Sequence, residues 1–243
     1  MSRYFQQDGT KPFELFSTTH LLTLTALILI LFFIFLFRKP LRQKRLNLML
    51  RLVIFLALFI SEISLHTWLG WVGIWDIRYS LPLHLSSLSL ILSSILILTK
   101  SYFLFEFTYF AGVGSALQAM ITPDLSQYTF PHFRYIHFFV SHGAIVAANV
   151  WMIFVEKFKP TARSLWRAFL ILNIYTFLIF ILNFLLNGNY MFISKKPVNP
   201  SIIDYLGPWP FYIIPLEMIT LLTFWLLYLP FMIANRKKGS GSN

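Results

Sequence analysis

Seven apolar stretches, at about 19–37, 47–69, 80–98, 102–121, 133–155, 165–186 and 211–234, run through a chain of 243 residues with mostly short polar connections between them. Each reaches, or nearly reaches, the length an α-helix needs to cross roughly 30 Å of hydrocarbon. Hydrocarbon offers no water to an open backbone, so such segments must close their hydrogen bonds internally as helices. The pattern predicts an all-α membrane protein, a seven-transmembrane-helix bundle forming one domain over 1–238. The one long connection, 187–210, carries Pro197, Pro200, Gly207, Pro208 and Pro210. It is too rigid and apolar for a simple linker and predicts an ordered cap over the outer bundle mouth. Residues 239–243 read as a flexible linker or tag scar. The first 18 residues lack a basic n-region, so the first helix is expected to serve as its own insertion signal.

Charge sorts by connection. The net charge is +11, and 14 of the 20 lysines and arginines fall on one side of the predicted bundle, at residues such as Arg38, Arg42, Arg45, Lys100, Lys157 and Arg163. The positive-inside rule then places the N-terminus outside and the C-terminus in the cytoplasm, in a multi-pass cell-membrane protein. A tract such as RKPLRQKR is a topology signal beside anionic lipid, not a nucleic-acid site. The chain has no cysteine, which rules out disulfides, thiolate metal sites and a cysteine nucleophile.

The polar groups show the opposite bias. All six histidines and seven of the nine carboxylates fall toward the outer side. Ionisable groups inside a membrane are expensive and usually face a bundle interior or a water-filled cavity. Glu62 and His66, at i and i+4, share one helix face. In the third stretch Ser80 is placed as helix cap, Pro82 in the first turn and His84 one turn in, followed by a serine stripe of Ser86, Ser89 and Ser93. On such a helix His84 and Ser86 lie about 200° apart, which argues against one shared site. His137 and His142 diverge by about 140°. Gln118 ends the fourth stretch, Asn183 and Tyr190 lead into the cap, Asp204 lies on the outer side, and Glu217 enters the last stretch. Each also has a plain reading as a polar lock or packed interface residue. His20 and His132 are assigned to the outer interface.

Three blocks carry a resemblance: LPLHLSSLSL (81–90), GSALQAMITPDLSQYTFPHFRYIHFFVSHG (114–143) and NGNYMFISKKPVNPSIIDYLGPWPFYIIPLE (187–217). In order and spacing they resemble the YwaF-type bacterial integral membrane proteins, which are similar to the eukaryotic transmembrane protein 164 group. That resemblance implies a lipid acyltransferase acting on a phospholipid, with a cysteine and a histidine as active residues. The histidine corresponds to His142, and the cysteine position to Ser86, where this chain departs from the pattern.

The leading expectation is therefore an intramembrane lipid acyl-transfer enzyme, transferase or ester hydrolase, with Ser86 as nucleophile and His142 as general base. Glu62, His66, His84, Gln118, His137, Asn183, Tyr190, Asp204 and Glu217 are the supporting or substrate-binding candidates. No cofactor is called for, and the partners are a phospholipid or acyl-lipid substrate and the bilayer. Two alternatives stand beside it: a non-enzymatic lipid or small-molecule binding or transport protein, and a zinc-dependent intramembrane lipid hydrolase using the histidines and Glu62.

Overall fold

The computed structural model describes residues 3–9, 11–197 and 202–239. The tail from Ser240 onward and Pro200 of the expected cap lie outside them. Every regular element among the described residues is helical. In chain order these are α1 (Thr18–Leu36), α2 (Lys44–Trp71), α3 (Leu85–Thr99), α4 (Tyr102–Phe107), α5 (Val113–Ile121), α6 (Phe133–Phe154), α7 (Ala162–Leu186) and α8 (Ile213–Gly239). A π-helical stretch, Thr108–Gly112, joins α4 to α5 end to end, so the chain makes seven rods.

Five of them, α1, α2, α6, α7 and the Ile213–Asn235 part of α8, are long and apolar enough to cross a membrane. The chain is a multi-pass membrane protein. The other two rods depart from plain spans. The rod of α4 and α5 is interrupted by the π turn. The third stretch yields a helix of only 15 residues, about 22 Å long. It starts at Leu85 and not at Ser80, because the backbone of 72–84 runs through non-helical turns and His84 takes the N-cap position.

The fold is arranged around α6. Its inner length is small: Ser141, Gly143, Ala144, Ala147 and Ala148 are all buried. Small residues let neighbouring backbones approach closely where no hydrophobic force separates helix from lipid. A Cβ on Gly143 would stand 3.2 Å from the Leu27 side chain of α1, and one on Gly112 would stand 3.2 Å from Ser89 of α3. Asn149 of α6 accepts a hydrogen bond from the Thr108 hydroxyl of the π turn at 2.9 Å, closing a polar pair inside the core. By contrast α1, α7 and α8 expose runs of Leu, Ile and Phe, as lipid-facing helices do.

The end carrying most of the basic residues is tied by charge. Arg51 donates to the carbonyls of Ile97 and Leu98, both at 2.6 Å, and so caps the open C-terminus of α3. Arg42 does the same for Phe154 and Val155 at the end of α6, each at 2.9 Å. Glu156 receives Lys100 and Asn47, each at 2.8 Å. Glu106 receives Ser164 at 2.6 Å and Arg167 at 3.1 Å.

Buried Arg51 gives a direct check. Arg51→Met leaves two carbonyls without their charged donor and is expected to cost about 1.5–3 kcal/mol, read as a lower apparent Tm in detergent. Arg51→Lys, which lacks the fork, should recover only part. An Arg51→Met protein as stable as the parent would contradict this capping role.

Candidate functional site

At the opposite end the helices enclose a cavity of about 770 Å³. Its wall takes residues from α2, the 72–84 segment, α3, α5, α6, α7 and α8, with Met191, Phe192 and Ile193 of the α7–α8 connection also against it. Of the candidates, Glu62, His66, His84, Ser86, Gln118, His137, His142 and Glu217 all line it. Asn183, Tyr190 and Asp204 do not.

His84 and Ser86 are both present on this wall, against the expectation from helical phase. The reason is the late start of α3. His84 has an extended ψ of 148°, so the 200° rotation between the two residues does not apply. Ser86 is the second residue of α3. No side chain caps this helix, so the first N–H groups of α3 remain available where Ser86 and Ser87 face the cavity.

The histidines divide by the hydrogen bonds that fix their rings. His142 is 8% exposed, and its Nδ1–H donates to the Phe138 carbonyl at 2.7 Å. A carbonyl can only accept, so in the neutral ring Nε2 carries the lone pair. His84 is the reverse. Its Nδ1 accepts from the Met191 backbone N–H at 3.3 Å, so its Nε2 carries the proton. Met191 and Phe192, which hold it, sit at φ 59° and 55°, a left-handed pair rare outside glycine. His137 donates Nε2–H to the Ser61 carbonyl at 3.1 Å, leaving Nδ1 buried without a partner. The ring of His66 is fully used: Trp75 donates to Nδ1, and Nε2 meets Glu62 Oε1, both at 3.3 Å. That pair ties the 72–84 segment to α2. Gln118 donates to Thr223 at 2.8 Å, and Glu217 accepts from Asn173 at 3.2 Å, so each bridges α8 to a neighbour. No hydrogen bond joins Ser86 to His142 among the described residues.

The absentees have structural work. Asn183 brackets Tyr190, donating to its carbonyl at 2.9 Å and accepting from its N–H at 2.7 Å. The Tyr190 hydroxyl, fully buried, donates to the Ile77 carbonyl at 2.5 Å and accepts from the Leu81 N–H at 3.0 Å. Burial raises its pKa, which keeps it a donor near neutral pH. Asp76 in the same segment is held down at about 2 by hydrogen bonds from Arg78. Asp204 is exposed, and its carbonyl accepts from Lys196 at 3.3 Å. His20 and His132 are buried, each satisfying backbone groups: His20 bonds the Met120 carbonyl and the Phe16 N–H, and His132 the Gln6 carbonyl and the Arg134 N–H. Among the described residues no three His, Asp or Glu side chains converge to hold a metal ion. Arg134 also lines the cavity, a residue that the sequence reading used only in its count of charge.

A family profile, that of the TMEM164 family, matches residues 15–228. The chain belongs to the TMEM164 family. No match is found among curated proteins. None is found among solved structures either. The TMEM164 match spans α1 to most of α8 and takes in every residue of the cavity wall.

The Tyr190 clamp is open to measurement. Tyr190→Phe strands the Ile77 carbonyl and Leu81 N–H at a cost of about 1–3 kcal/mol. Hydrogen exchange over 77–84 should speed up, with α6 unaffected. Unchanged protection in that segment would show that the clamp does not hold it.

Proposed function

We propose that this TMEM164 family protein is a membrane-embedded lipid acyl-transfer enzyme, a transferase or an ester hydrolase, with Ser86 as nucleophile and His142 as general base. The observation that carries the reading is the convergence, on one cavity wall, of a serine in an uncapped helix N-terminus with an imidazole whose free nitrogen is the basic one. The family resemblance points to the same two positions.

The chemistry balances without a cofactor. Ser86 Oγ attacks the ester carbonyl while its proton passes to His142 Nε2. The tetrahedral oxyanion is met by the first N–H groups of α3 and the Nε2–H of His84, donors aimed where negative charge develops. Collapse breaks the ester C–O bond, and the departing alkoxide takes the proton from His142. Water or a second lipid hydroxyl then attacks the acyl-serine, with His142 again the base. Substrate closes the gap between the two side chains, as catalytic contacts often tighten only in the bound complex. His66 and Glu62 position the 72–84 segment from behind.

The basic residues at the opposite end orient the protein with its N-terminus outside, its C-terminus cytoplasmic and the cavity in the outer half of a bacterial plasma membrane. Lipid then enters from the outer leaflet. A lipid-binding protein without turnover is the second reading, favoured by the absence of a direct Ser86–His142 hydrogen bond.

Turnover of a fluorescent phospholipid ester by purified protein separates the two. Ser86→Ala and His142→Ala should each lose roughly 10²–10⁴-fold with the fold intact. Ser86→Cys introduces the chain's only thiol. It should retain activity and lose it on alkylation. Full turnover by Ser86→Ala would overturn the assignment.

A further inference from the structure

One cation in the cavity makes no ion pair among the described residues. Arg134 stands on the wall in the first turn of α6, half-buried, with its guanidinium carbon 5.8 Å from the centre of the Trp68 ring. Among the described residues no carboxylate reaches its guanidinium within ion-pair distance, and no hydrogen bond uses it. Asp124 lies on the same wall and acts on it only through space. Other arginines set into this bundle are closed: Arg51 on two carbonyls, Arg167 on Glu106, Arg78 on Asp76. A cation in the first turn of a helix also sits at the positive end of the dipole, which disfavours it unless an anion is near. The start of α6 is itself capped by His132, which takes the Arg134 N–H, but the guanidinium fork is left for an anion, and a phosphate oxygen pair matches it.

The cavity indicates where that phosphate comes from. Along α6 its wall takes Arg134, then His142 eight residues on, then Ile145. At 1.5 Å per residue these steps are about 12 Å and about 4.5 Å along the axis. A glycerophospholipid runs in the same order, from phosphate to ester carbonyl to acyl chain. Leu65, Leu69, Leu85, Leu90 and Leu172 supply apolar wall for the chains. A free phosphate ion gains nothing from those leucines.

We propose that Arg134 binds the phosphodiester of the lipid substrate and so sets the ester bond against Ser86 and His142. This rests on the acyl-transfer reading for its purpose, though not for the binding itself.

The test is native mass spectrometry of the full chain in detergent, titrated with dioleoyl phosphatidylglycerol or with dioleoylglycerol, which lacks the phosphate. Wild type should hold the phospholipid and discriminate against dioleoylglycerol. Arg134→Gln should bind the phospholipid roughly 10- to 100-fold more weakly with dioleoylglycerol unchanged, and Arg134→Lys should recover part of the loss. Equal phospholipid binding by wild type and a folded Arg134→Gln overturns the proposal. Should Arg134→Gln fail to fold, wild type alone decides, and equal retention of both lipids overturns it. Displacement of the phospholipid by millimolar inorganic phosphate would assign the site to the free anion and overturn the lipid source. Running the titration in Ser86→Ala separates the two claims. Arg134-dependent binding without turnover in any form sinks acyl transfer and keeps the phosphate site; turnover with Arg134-independent binding does the opposite.

Discussion

A segment that leaves the helical pattern frees backbone N–H and C=O groups that must find other partners. Here the segment 72–84 breaks the helical pattern between α2 and α3. Tyr190 reaches it from the α7–α8 connection, taking the Ile77 carbonyl and the Leu81 N–H with one hydroxyl. Trp75 ties it to α2 through His66 and Glu62. With those groups satisfied, α3 can begin a turn late. An uncapped helix start then opens into the cavity, with Ser86 in its first turn. A straight third span from Ser80 would have turned His84 and Ser86 to opposite sides.

The two histidines of the proposed mechanism are set apart by single backbone contacts. The Phe138 carbonyl takes the Nδ1 proton of His142 and leaves a base; the Met191 N–H takes the Nδ1 lone pair of His84 and leaves a donor. No carboxylate is needed for either orientation. The use of Phe138, four residues before His142 on the same helix, makes the base a property of α6 alone. His84 depends on two strained residues that follow α7, Met191 and Phe192, so their backbone conformation and the donor stand or fall together.

The apolar pattern made the bundle legible, because hydrocarbon length and backbone satisfaction leave few alternatives. The one-sided polar groups made the region of the cavity legible for the same energetic reason. Rotation was not legible. Helical phase separates His84 from Ser86 only in a regular helix through Pro82, and the backbone there is not helical. Asn183 and Tyr190 look like ligand-binding groups in sequence, yet their polar atoms face backbone, a distinction that only tertiary contacts carry. Arg134 counts in the sequence only as one charge on the less basic side, and its place on the cavity wall is carried by tertiary structure alone.

The central claim is that Ser86 becomes acylated. Rapid acid quench of wild-type protein mixed with a synthetic phospholipid, followed by peptide mass spectrometry, measures this directly. The account predicts that the peptide containing Ser86 gains the mass of the acyl group, that the adduct persists longer in His142→Ala wherever it forms, and that it decays on addition of an acceptor alcohol. Phospholipid recovered intact from the cavity, with Ser86 unmodified at every time point, would contradict it.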